Sequence, residues 1–138
     1  MFVHMKNLAA IIFSVLLCAI NMSDAAALDF CQGTFTNFHF NTESGDLSGV
    51  EIRIVDTLAG KQATIQFSEG EPSTLTVTKV SCDGAHLSFK LPADEGRATA
   101  TFHGITTSKK LVGEFVFDTG ARDKVVLERR TSYWDKTH

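Results

Sequence analysis

The chain has little of what builds helices and little of what interrupts strands. Only two of its 138 residues are proline, Pro72 and Pro92. After residue 28 no apolar repeat at helical spacing persists beyond a turn or two, which argues against a helical bundle. A basic surplus is also missing. The 13 Lys and Arg are outnumbered by 16 Asp and Glu, for a net charge of −3, and a nucleic-acid-binding role is not indicated. Beyond residue 20 there is no apolar run of the roughly 20 residues that a membrane span requires. Catalytic signatures are lacking too: no Gly-x-Ser-x-Gly elbow and no paired carboxylates in a known frame. Ser88, His86 and Asp83 supply triad residue types, but as near neighbours of one strand they do not make a triad. The chain therefore reads as non-catalytic, with no cofactor or metal site.

What is present begins with a leader. Lys6 precedes an apolar run from Leu8 to Ile20, followed by small residues at Ala25 and Ala27. This pattern predicts a secretory signal peptide over residues 1–27, cleaved before Leu28, and a secreted or periplasmic domain over residues 28–138. Of the three cysteines, Cys18 leaves with the leader. Cys31 and Cys82 remain, and in an oxidising compartment a pair of cysteines reads as one disulfide, the alternative being two free thiols.

The remainder alternates apolar and polar residues in short runs separated by Gly, Asp, Ser and Pro clusters. Eight strands are expected: Thr34–Phe40, Val50–Thr57, Gln62–Ser68, Thr74–Val80, His86–Leu91, Arg97–His103, Leu111–Phe117 and Lys124–Thr131. "CDGA" and "DTGA" read as tight hairpins. Short connections favour pairing between consecutive strands. The fold class is all-β, an eight-stranded antiparallel up-and-down barrel, with a two-sheet sandwich as the alternative.

Period-two alternation assigns an inner face to Phe38 and Phe40; Val50, Ile52 and Ile54; Ala63, Ile65 and Phe67; Leu75 and Val77; Leu87, Phe89 and Leu91; Ala98, Ala100 and Phe102; Leu111, Phe115 and Phe117; Val125 and Leu127. The same phase carries Arg129 and Tyr133 to one barrel end, where a guanidinium suits a carboxylate. If the barrel is hollow, Phe38, Phe40, Phe89, Phe102, Phe115, Arg129 and Tyr133 line a site for a small apolar or amphipathic ligand. If it is full, the basic and aromatic segment from Arg129 and Arg130 to Tyr133 and Trp134 suits a protein partner, because Arg, Tyr and Trp are enriched at binding hot spots.

The opening strand, with Gly33-Thr34-Phe35 after Cys31, resembles the calycin group. Lipocalins carry Gly-x-Trp at that place; here Phe stands for Trp. The size and the opening "CQGTFTNF" are similar to avidins, although their biotin site is walled by tryptophans and this chain has Trp134 alone. A periplasmic lysozyme inhibitor is similar in architecture, but its Ser-Gly-x-x-Tyr motif does not occur here. The expected function is non-catalytic binding of a small apolar or amphipathic ligand; the alternative is a protein-interaction module, such as a hydrolase inhibitor or immunity-type protein, acting through its outer surface or loops.

Overall fold

A computed structural model describes residues 29–94 and 96–135. The expected leader, residues 1–27, falls outside them. Nine strands follow in order: β1 (Gly33–Thr36), β2 (His39–Phe40), β3 (Leu47–Thr57), β4 (Gly60–Gly70), β5 (Thr76–Asp83), β6 (His86–Leu91), β7 (Ala100–Thr106), β8 (Lys110–Phe117) and β9 (Arg122–Arg129). A 3₁₀ turn at Tyr133–Asp135 ends the described chain.

From β3 to β9 each strand pairs antiparallel with the next, and β1 closes the ring by pairing with both β3 and β9. The result is a closed eight-stranded antiparallel barrel, with β2 an additional short strand on β3. Closure excludes the sandwich alternative, and it leaves few exposed strand edges. Turn chemistry sets the hairpins. Thr57 pairs with Gly60 across Leu58-Ala59, and Asp83 pairs with His86 across Gly84-Ala85. Gly60 and Gly84 both have positive φ, 98° and 59°, a backbone that side chains disfavour.

Two strand phases differ from those expected. The first expected strand is interrupted at Asn37, whose side-chain Oδ1 accepts the Val50 N–H at 2.7 Å. β1 and β2 keep one register on β3: Thr36 lies opposite Glu51 and His39 opposite Ser48. It is Phe35, opposite Ile52, that enters the core. Phe38 and Phe40, expected inside, do not: Phe38 is half-buried outside against Tyr133, and Phe40 is exposed. β5 is also inverted. Thr76 and Thr78 lie opposite the buried Ile65 and Ala63, and Val80 and Cys82 opposite the buried Phe89 and Leu87. Leu75 and Val77, expected inside, are 58% and 60% exposed.

Cys31 and Cys82 form a disulfide, with Cα atoms 6.5 Å apart. Cys31 leads into β1 and Cys82 nearly ends β5, so the bridge pins two well-separated strands at the same end of the barrel.

Candidate functional site

The barrel interior is occupied by side chains. Phe89 stacks on Phe102 with centroids 4.8 Å apart, and Phe102 meets Phe115 at 4.7 Å. Phe67 reaches Phe115 at 5.4 Å, toward one barrel end. Aliphatic residues surround them, among them Ile52, Ile65, Leu91, Leu111 and Leu127. Gly104 and Gly113 face each other across β7 and β8. A Cβ built at Gly104 would come within 2.7 Å of both the Phe102 ring and the Leu111 Cδ1. An eight-stranded barrel holds either side chains or one small ligand, and side chains fill this one. Phe89, Phe102 and Phe115, named as ligand contacts from the sequence, are core residues packed on one another.

The disulfide end of the barrel is plugged. Arg129 does point to that end, as its phase predicts, but its donors go to backbone carbonyls: Gln32 O, Phe30 O at 2.6 Å and Thr107 O at 3.1 Å. Its guanidinium also lies 4.5 Å from the centre of the Phe35 ring. Arg129 thus ties the N-terminal segment and the β7–β8 loop to the last strand. Beside it Lys61 bridges Asp29 and Asp56. The Lys61 hydrogen bond holds the Asp29 carboxyl below its ordinary 3.8. The hydrogen bonds to Asp29 and then Asp56 lift Lys61 above its ordinary 10.5. Asp29 also lies near the Cys31 and Cys82 sulfurs. Those sulfurs are bonded to each other, so they are not thiolate ligands for a metal.

The opposite end opens into a depression of about 890 Å³. Phe67, Phe117 and Ala98 line it, and Asp46, Glu69, Glu71 and Asp123 contribute carboxylates. Arg97 sits with its guanidinium 4.0 Å from the Phe67 ring centre and 3.5 Å from Asp94. Its Nε is buried without a hydrogen-bond partner.

A third feature was not legible in the sequence. After β9 the chain folds back over the outer face of β3 and β4. Glu51, buried although outward in phase, accepts the Ser132 hydroxyl at 2.5 Å and the Tyr133 N–H at 2.9 Å. Trp134 Nε1 donates to Gln66 Oε1 at 2.8 Å, and Arg53 pairs with Asp135 at 3.1 Å. Phe38, Tyr133 and Trp134 meet edge to face, at 5.1 to 6.3 Å between centroids. Tyr133 therefore belongs with Phe38 outside, not with Arg129 at a barrel mouth. Beside this folded tail runs a groove of about 510 Å³, lined by Arg53, Thr64, Gln66, Pro72, Leu75 and Trp134 among others. Trp134 remains half exposed. A carboxylate between Val50 and Ile52 was the sequence sign of Glu51, but alternation alone makes it an ordinary solvent-facing residue.

Fold and site together define a closed, filled antiparallel barrel that carries its exposed aromatic and apolar groups on the outside. No protein-family model, curated protein or solved structure matches the chain.

Proposed function

We propose that the protein is a non-catalytic, calycin-like interaction module of the periplasm or extracellular space. It binds a protein partner in the groove beside the folded tail. One observation carries this reading: with the lumen full, the half-exposed indole of Trp134 and the exposed Leu75 share an outer groove with Arg53. Trp and Arg are the commonest anchors of protein interfaces, and apolar anchors count most when their neighbours exclude water. The partner class is a protein segment that offers an apolar side chain between Leu75 and Trp134. The disulfide is consistent with an oxidising compartment. Among the described residues no helix is long and apolar enough to cross a membrane.

The test is a photo-crosslinking side chain placed at Leu75 or, as control, at Leu58 in the β3–β4 hairpin, in cells that secrete the protein. The expected result is one adduct of defined mass from position 75, none from 58, and its loss on Trp134→Ala. Equal labelling at both positions, or an adduct indifferent to Trp134, overturns the reading.

The unpartnered Nε of Arg97 supports a second reading, a small amphipathic ligand seated on Phe67 and Phe117 at the open end. Native mass spectrometry separates the two. A bound mass that disappears on Arg97→Met supports the ligand, and a bare protein supports the outer groove.

A further inference from the structure

Diametrically across the ring from β4 lies β8, flanked by β7 and β9. The outer face of these strands carries a cross-strand row of three aliphatic residues. Ile105 is paired with Val112, and Val112 with Val126. They are 48%, 42% and 55% exposed. Scattered single aliphatics on a surface are ordinary, but these three are in register across adjacent strands and line one shallow depression of about 710 Å³.

Charge is arranged about this row in a definite pattern. One row toward the disulfide end, Lys110 lies opposite Glu128; one row the other way, Glu114 lies opposite Lys124. On β8 the order is therefore Lys110, Val112, Glu114, and on β9 it is Lys124, Val126, Glu128. Each of the two valines has a cation on one side along its strand and a carboxylate on the other, whereas Ile105 lies between His103 and Thr107. Lys110 and Lys124 make no ion pair among the described residues. Among the described residues Glu114 and Glu128 pair with the exposed Arg122 and Arg130, contacts that contribute little in water.

We propose that this face binds a second copy of the chain, sheet on sheet, about a twofold axis lying in the interface along the Ile105–Val112–Val126 row. That rotation sets each aliphatic side chain against its own counterpart. It also exchanges the rows on either side. Lys110 then faces Glu114 of the second copy, and Lys124 faces Glu128 of the second copy, each contact occurring twice. An axis along the strands would instead set Lys110 on Lys110. The charge pattern therefore selects one isologous geometry. Rows two residues apart are about 6.7 Å apart, and packed sheets lie about 10 Å apart. A Lys and a Glu side chain directly opposite one another span that gap.

His86 and Asp83, the continuation of the row on β6 and β5, line the same depression and flank the proposed contact. The interface is three strands wide and smaller than the roughly 800 Å² per partner of a standard complex. Self-association is correspondingly weak and exchanging, and it falls as salt screens the four ion pairs. The Trp134 groove remains open in the dimer, so this inference stands or falls separately from the proposed function.

Sedimentation velocity of the disulfide-bonded domain, from micromolar to millimolar concentration, tests it. The wild type should dimerise with a salt-sensitive constant. Glu114→Lys and Lys110→Glu should each weaken association at least about tenfold, because like charges then meet twice per dimer. Mixing these two variants should restore a one-to-one heterodimer, since every reversed contact is again opposite in sign. The double variant should self-associate like the wild type. Unchanged thermal unfolding and Trp134 fluorescence show that the variants are folded. A wild type that stays monomeric to millimolar concentration, or single variants that fail to recover on mixing, overturns the proposal.

Discussion

The Phe102 ring lies over two paired glycines because nothing larger fits beneath it. A Cβ at Gly113 would intrude on that ring further than one at Gly104, so Gly113→Ala should destabilise the fold by roughly 1–3 kcal/mol through overpacking. The converse change is more informative about function. Phe102→Ala removes the centre of the aromatic stack and should cost about 3–5 kcal/mol. It should also leave a dry apolar cavity, which such cavities fill with small apolar molecules when offered. Binding of a benzene-sized probe to Phe102→Ala but not to the wild type is the expected outcome of calorimetry. Binding of the probe by both would show that the lumen has room already. At the plugged end, the Lys61 bridge makes stability depend on pH in a known direction. Asp29 is held below 3.8 when folded, so its contribution is present above that value and lost as pH falls through the lower, folded one. Lys61 is raised above 10.5, so its contribution is present below that value and lost as pH climbs through the folded one. Between these limits the wild type should exceed Lys61→Met in Tm, and the gap should close in strong acid. A gap that stays constant to the lowest pH would assign the difference to packing of the lysine stem.

At the scale of elements, the tail depends on Glu51. It accepts two hydrogen bonds while buried, so it has exchanged water for the Ser132 hydroxyl and the Tyr133 amide. Bonds to a charged acceptor contribute about 1.5–3 kcal/mol. Glu51→Ala should therefore release residues 132–135 and lower stability by a comparable amount. Trp134 is the single tryptophan, so release should appear as a red shift in its fluorescence together with a lower Tm; an unshifted spectrum would mean that Gln66 and Phe38 hold the tail without Glu51. Strand existence was legible in the sequence because alternation and turn residues agree for β3, β4 and β6 to β9. Strand phase was legible only where each run offers one apolar set. The first run offers two, Phe35 against Phe38 and Phe40, and the break at Asn37 that chooses between them comes from a side-chain hydrogen bond to β3. β5 offers Leu75 and Val77 on one face and Val80 and Cys82 on the other. The disulfide itself was the available signal, since Cys82 must turn in toward the buried Cys31 and carries Val80, Thr78 and Thr76 with it. The groove stayed hidden because it exists only once the tail crosses two strands more than sixty residues away in sequence.

On the scale of the whole molecule, closure is unevenly secured. β3 and β4 pair along their full lengths, from Leu47 with Gly70 to Thr57 with Gly60. β1 and β9 share only two residue pairs, Phe35 with Arg129 and Thr36 with Glu128. The junction between first and last strand is thus the weakest line of the barrel. Two devices lie beside it: Arg129, bound to the carbonyls of Phe30 and Gln32, and the disulfide that anchors Cys31 to the end of β5. A bridge across 51 residues of sequence contributes about 4 kcal/mol in the chain-entropy account, so the double variant Cys31→Ser/Cys82→Ser should lose roughly 15–25 °C in Tm. The loss should also be local before it is global. Once Cys31 is free, only β1's short ladders and Arg129 hold the ring shut, and segments with few contacts open first. Native-state hydrogen exchange of the double variant should show β1 and the Arg129 end of β9 losing protection at low denaturant while β6, β7 and β8 keep theirs. If every strand exchanges together, closure is a single cooperative property of the barrel and the disulfide stabilises the whole ring rather than this junction.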